Sequence, residues 1–173
     1  MDRIRVAVGL KAPDPAALTA LRTLRRLMPD QCPVKLDRYD LWEFQVRSGG
    51  RETVSEVVNH FTDIVNPNKQ KYSFVEEGES LLPGEDPALI WTGVVISDHD
   101  DSLSANWTAV MEKRDFPVDS VDFGTLWRMA WPAGTDAASA EEMALSISTS
   151  TSRERGLLGN PVSQRITILQ RGL

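Results

Sequence analysis

The sequence predicts an α+β protein in which one β-α-β-α-β unit is used twice. Three observations carry that prediction. Residues 3–75 read strand, helix, strand, helix, strand, and residues 88–170 repeat the order. Each second strand holds a Leu-Trp pair, Leu41-Trp42 and Leu126-Trp127. Each second helix runs into an Asn-Pro step, Asn66-Pro67 and Asn160-Pro161. The Trp positions lie 85 apart (127 − 42) and the Asn-Pro steps 94 apart (160 − 66), so the copies differ by insertions. A period this long marks a duplicated domain rather than a solenoid. The expected units are residues 1–76 and 88–173, joined by a linker at 77–87. Together they would form a pseudo-dimer in one chain, where a single-copy relative would need a homodimer.

Each element has a local reason. Ile4, Val6, Val8 and Leu10 alternate with the period of a half-buried strand. Asp14 then stands as N-cap and Pro15 at the first helical position. Leu18, Leu21, Leu24, Leu27 and Met28 form the expected apolar stripe, with Arg22, Arg25 and Arg26 mostly opposite. From about Val34 to Val46 the chain alternates again, placing Trp42, Phe44 and Val46 on one face. Ser48-Gly49-Gly50 is a turn, and Val54, Val57, Val58, Phe61, Ile64 and Val65 fit a helix. Lys71–Val75 closes the first unit as a strand. Gly78, Pro83, Gly84 and Pro87 break the acidic linker.

The second unit opens with a more apolar strand, Leu89–Ile96, and a helix using Leu103, Trp107, Val110 and Met111. A strand follows from Val118 to Trp131. The last helix is expected over residues 138–158, although the hydroxyls of 146–152 compete for backbone hydrogen bonds. A strand around Ile166 and Ile168 ends the unit. This order implies mainly antiparallel sheets with helices on one face, the copies packed through sheet edges or faces. The other sheet face needs cover, and the sister repeat is the economical candidate.

Composition narrows the function. A chain of 173 residues with 41% hydrophobic content can bury a core. A net charge of −6 argues against nucleic acid as a partner. No stretch approaches the roughly 20 apolar residues that span a bilayer, and the start lacks the features of a secretion signal. Cys32 is the single cysteine, which excludes an internal disulfide. A cytoplasmic protein is the expectation.

The pattern resembles PurS, the small subunit of phosphoribosylformylglycinamidine synthase, repeated in tandem. The likeness rests on Asp14-Pro15, the Leu-rich helix, Glu43 between Trp42 and Phe44, and Ile64-Val65-Asn66-Pro67. In the second unit it rests on Gly124 and on Leu157-Leu158-Gly159-Asn160-Pro161. The family pattern has Arg where Asp37 and Asp122 stand, Gly where Tyr39 stands, and Lys where Asp40 and Thr125 stand. The resemblance implies a non-catalytic bridge in de novo purine biosynthesis, between the ATP-using synthetase subunit and the glutaminase subunit of that ligase. It implies partner contact by Arg38, Tyr39, Asp40, Glu43, Phe123, Gly124 and Thr125. Asn66, Pro67, Asn160 and Pro161 would be structural turns.

The residues themselves point to little chemistry. His99 lies in Ser-Asp-His-Asp-Asp-Ser, but neighbouring residues point different ways, and a capped helix start explains the acids better than a metal does. His60 has no visible nucleophile partner, and Cys32 has no CxxC mate. No phosphate loop is present, since Gly156–Pro161 lacks the Lys-Ser/Thr ending. No metal, cofactor or catalytic residue is therefore expected. Trp42, Trp127 and Trp131 fit a core or repeat seam better than a ligand pocket. Two alternatives remain: a regulatory module binding a small ligand near residues 11–14 and 97–101, and a dimeric α+β-barrel enzyme. Self-association into a homo-oligomer is compatible with each.

Overall fold

The computed structural model describes residues 1–76 and 81–169, so residues 77–80 of the expected linker and 170–173 of the second unit lie outside it. The first five elements are β1 (Asp2–Leu10), α1 (Pro15–Leu27), β2 (Lys35–Val46), α2 (Gly50–His60) and β3 (Gln70–Phe74). They are followed by β4 (Ile90–Asp98), α3 (Ser102–Lys113), β5 (Val118–Trp131), α4 (Ala137–Ser148) and β6 (Gln164–Ile168). The class is α+β. The strands form one six-stranded sheet in the order β3-β1-β2-β5-β4-β6, and every pairing is antiparallel.

That order reads the same from either end when β4, β5 and β6 stand for β1, β2 and β3. The registers match as well. Val6 pairs with Trp42 and Phe74; Val94, 88 residues later, pairs with Trp127 and Ile168, which lie 85 and 94 residues after them. At the centre of the β2–β5 seam Asp40 faces Thr125, residues themselves 85 apart (125 − 40).

The turns repeat to the same degree. The Asn66 N–H donates to Gln70 Oε1 at 2.8 Å, and the Asn160 N–H to Gln164 Oε1 at 3.0 Å. The side-chain oxygens of both asparagines accept at 3.0 Å from the N–H two residues on, Asn68 and Val162. The Asn66 carbonyl accepts from Lys69 and Gln70, and that of Asn160 from Ser163 and Gln164. An Asx turn followed by a glutamine clamp fixes how each edge strand begins.

Alternation sends Val6, Val8, Trp42, Phe44 and Val121 to one face, where all four helices pack. α2 and α3 cover one end with Val54, Val57, Val58 and Met111. α1 and α4 cover the other, over Leu36, Val94, Trp127 and Met129. Each large apolar side chain buried here contributes about 1.5–3 kcal/mol. Three helices begin on aspartate caps: Asp14, Asp101 and Asp136 accept from Ala16, Ser104 and Ser139 respectively.

Four expectations about the helices are corrected. Of the expected α1 stripe Leu24 is buried and Leu21 and Met28 pack on the core, but Leu18 is 48% exposed; Ala17 and Ala20 join Leu24 there, because alanines let the helix lie close to the sheet. Leu103 of α3 is likewise exposed, while Met111 is buried. α4 ends at Ser148 rather than 158. The hydroxyl-rich stretch doubles back, with the Leu157 N–H donating to Ile147 O and the Gly159 N–H to Ser148 O. Gly156 makes that return possible: its φ is 76° and a Cβ would stand 1.7 Å from the Thr149 carbonyl oxygen. α2 is also shorter than expected, and Ile64 and Val65 are buried from the turn after it.

Among the described residues the second half of the chain does not fold over the helix-free face of the first as expected, because the two halves meet edge to edge through β2 and β5. A segment of the expected linker does part of that work. Leu82 packs with Ala7, Leu41 and Leu126 on the helix-free face.

Candidate functional site

Among the described residues the helix-free face carries two clefts, and this linker strap lines one of them. The strap is pinned by Glu85, whose Oε1 and Oε2 accept from Arg128 Nη2 and Nε at 2.7 and 2.9 Å. Glu85 Oε1 also accepts from the Leu82 N–H at 2.6 Å. The ion pair is almost wholly removed from solvent, with 3% and 2% of the two side chains exposed. Behind it the Arg128 guanidinium lies 5.7 Å from the Trp91 ring centroid.

The narrower cleft, about 330 Å³, lies between the β1–α1 turn and the strap. Its lining includes Gly9, Asp14, Asp37, Tyr39 and Lys71. The Tyr39 ring lies against Gly9, where a Cβ would stand 3.0 Å from the ring. Burial pushes the Tyr39 hydroxyl up to about 12, helped by the nearby Asp37 and Glu85 carboxylates. Burial and then Glu85 likewise raise the Asp37 carboxyl.

The wider cleft, about 810 Å³, lies beyond the strap and beside the β4–α3 turn. Arg3 and Arg5 line one side, each placing Nε 2.8 Å from Glu43 Oε2. Leu41, Gly124 and Val95 contribute apolar surface, and Arg165 and Thr167 stand on β6. Asp122 is raised by burial, then by Glu43 and Asp101.

The residues expected to meet a partner divide between the faces. Tyr39, Glu43 and Gly124 belong to the clefts. Asp40 and Thr125 project from the helix side near the centre of the sheet, and Arg38 and Phe123, on the same side by register, each also line a cleft. Arg38 uses its charge locally, its Nε reaching Asp14 Oδ2 at 2.8 Å. Phe123 lies 4.7 Å from Trp42, and its N–H donates to Ser104 Oγ at 2.9 Å. The Asp40 carboxyl is raised by burial, against the lowering effect of Arg38.

The remaining residues take structural places. Asp101 accepts from the Ser104 N–H and hydroxyl, so the acids around His99 include a helix cap. His60 stacks edge-on to Phe61, and Cys32 Sγ lies 3.4 Å from the Pro33 carbonyl oxygen. Burial raises the Cys32 thiol, which leaves less of the reactive thiolate. Among the described residues no group of three or more His, Cys, Asp or Glu is arranged to hold a metal, and no helix is long and apolar enough to cross a membrane. Sequence reasoning missed Arg3, Arg5, Glu85 and Arg128. Arg128 sits on the cleft face of an apolar strand, the one available signal that it is paired.

Compared with protein-family models, curated proteins and solved structures, the chain matches none.

Proposed function

We propose that the chain is a duplicated PurS-like unit forming its own pseudo-dimer, and that it works as a non-catalytic bridging subunit. By that reading it holds the ATP-using synthetase and the glutaminase of a purine-pathway amidotransferase together. One observation carries it: the sheet reads the same from both ends, with matched registers and two matched Asn-Pro turns. An edge-to-edge dimer of single-copy units would present that arrangement. The contact surface is the centre of the seam, where Arg38, Asp40, Phe123 and Thr125 are half-buried between the two helix pairs.

The test is affinity capture of the tagged chain from its native lysate, with and without ATP and glutamine, read by mass spectrometry. Recovery of both purine-pathway subunits is expected, reduced by Asp40→Ala at the seam. Recovery of neither, from a lysate in which both are abundant, overturns the proposal.

A further inference from the structure

The geometry points to a second role, beyond bridging: the wider cleft is a binding site for a small planar-ring molecule carrying an anionic group. The reasoning starts from the two halves of the sheet. By the offsets that the registers fix, Tyr39 corresponds to Gly124, Gly9 to Ser97 and Lys71 to Arg165. The clefts are therefore matched places on one face, and they are filled differently. In the narrower one the Tyr39 ring lies over Gly9, and the strap lays Leu82 and the Glu85 carboxylate on the sheet. In the wider one the position of that ring is taken by Gly124, which has no side chain, and among the described residues none of the strap lines it. The volume differs accordingly, about 810 against 330 Å³.

What the chain places in the narrower cleft indicates what the wider one can hold. A ring over Gly124 would lie on the apolar surface of Leu41 and Val95. The guanidiniums of Arg3 and Arg165 supply donors for a carboxylate or phosphate. The carboxylates of the same cleft already have work: Glu43 holds Arg3 and Arg5, Asp101 caps α3, and Asp98 accepts from Gln164 Nε2 at 2.9 Å.

The test uses the full isotope-labelled chain titrated with 4-hydroxyphenylacetate, which joins the ring of Tyr39 to the carboxylate of Glu85. Tyramine, the same ring on a cation, and acetate, the anion without a ring, are titrated in parallel. Saturable amide shifts at Ser97, Gly124 and Thr167 are expected with 4-hydroxyphenylacetate alone. Arg165→Ala, at an exposed position of an edge strand, should weaken that binding about tenfold, the effect of one charge-assisted hydrogen bond. Gly124→Tyr should abolish it by restoring the ring that the other half carries. A Cβ there meets Val95 Cγ1 at 3.0 Å, so Arg165→Ala decides the matter if that variant fails to fold. No saturable shift at millimolar ligand, equal binding of tyramine, or binding unchanged in Arg165→Ala would each overturn the inference. None of these outcomes bears on recovery of the bridging partners.

Discussion

Removing the carboxylate of Glu85 should destabilise the fold far more than its place in a linker suggests. Glu85→Ala deletes both contacts to Arg128, at 2.7 and 2.9 Å, and the acceptor of the Leu82 N–H. The guanidinium then keeps its other contacts, the Trp91 face among them, but loses this carboxylate in an interior where 3% of the side chain reaches solvent. Breaking one side of a buried pair costs about 3–5 kcal/mol. Domains of this kind hold only about 5–15 kcal/mol in total. With a urea m-value of about 2 kcal/mol/M, the midpoint should fall by about 1.5–2.5 M.

The double variant Glu85→Leu with Arg128→Met should recover most of that loss, because no buried charge is left without its carboxylate partner. Urea unfolding followed by tryptophan fluorescence and far-ultraviolet dichroism measures all three proteins. The strap offers one escape: it could peel away and let water reach Arg128, which would cap the cost. Limited proteolysis separates that case, since a detached strap is cut while the sheet remains folded. The reasoning fails if Glu85→Ala costs less than about 1 kcal/mol while the strap stays resistant to protease.

Two further outcomes test other parts of the structure. Asn66→Ala and Asn160→Ala should each cost about 1 kcal/mol in urea unfolding, the loss of one Asx hydrogen bond, and the two costs should add because the turns stand at opposite ends of the sheet. The Tyr39 hydroxyl, raised in the fold from 10.0 to about 12, favours the fold less as it ionises, so stability should fall as pH rises between those values. An absorbance titration should show a tyrosinate step near 12 that Tyr39→Phe removes; an unchanged curve would refute the assignment.

The strands were legible because a half-buried strand writes its burial into every second residue, as Val6, Val8, Trp42 and Phe44 do. Helix starts were legible for a similar local reason, since Asp14 and Asp101 each bind amides within three residues. What the sequence hid depends on approach distance or on separation along the chain. The leucines of α1 form a convincing stripe, yet Ala17 and Ala20 meet the sheet because their size permits it. The hydroxyls of 149–152 weakened the helix there, but that they leave it for a Gly156-dependent return needs the position of Thr149. The Glu85–Arg128 pair joins residues 43 apart, and the glycine and prolines around Glu85 announce a loop without saying what the loop covers. The wider cleft was half visible, since residues 97–101 were named as a ligand turn while Arg3, Arg5 and Arg165 lay on other strands.

The helix layer explains why the two halves behave as one body. Each unit lends its helices to different cores: α2 packs with α3 over one end of the sheet, and α1 with α4 over the other. Phe61 after α2 meets Trp107 of α3 at 5.2 Å, and Gln31 after α1 accepts from Ser146 of α4 at 2.8 Å. Cutting the chain at the strap would therefore open both cores rather than free one of them. Between the helix pairs, Asp40 and Thr125 at the seam belong to neither core cluster. Asp40 is half-buried there, in register with Val8 and two residues from Trp42 of one core, and that burial raises its carboxyl. If the proposed bridging role holds, substitutions at Asp40 should weaken partner recovery while leaving both helix-covered cores intact.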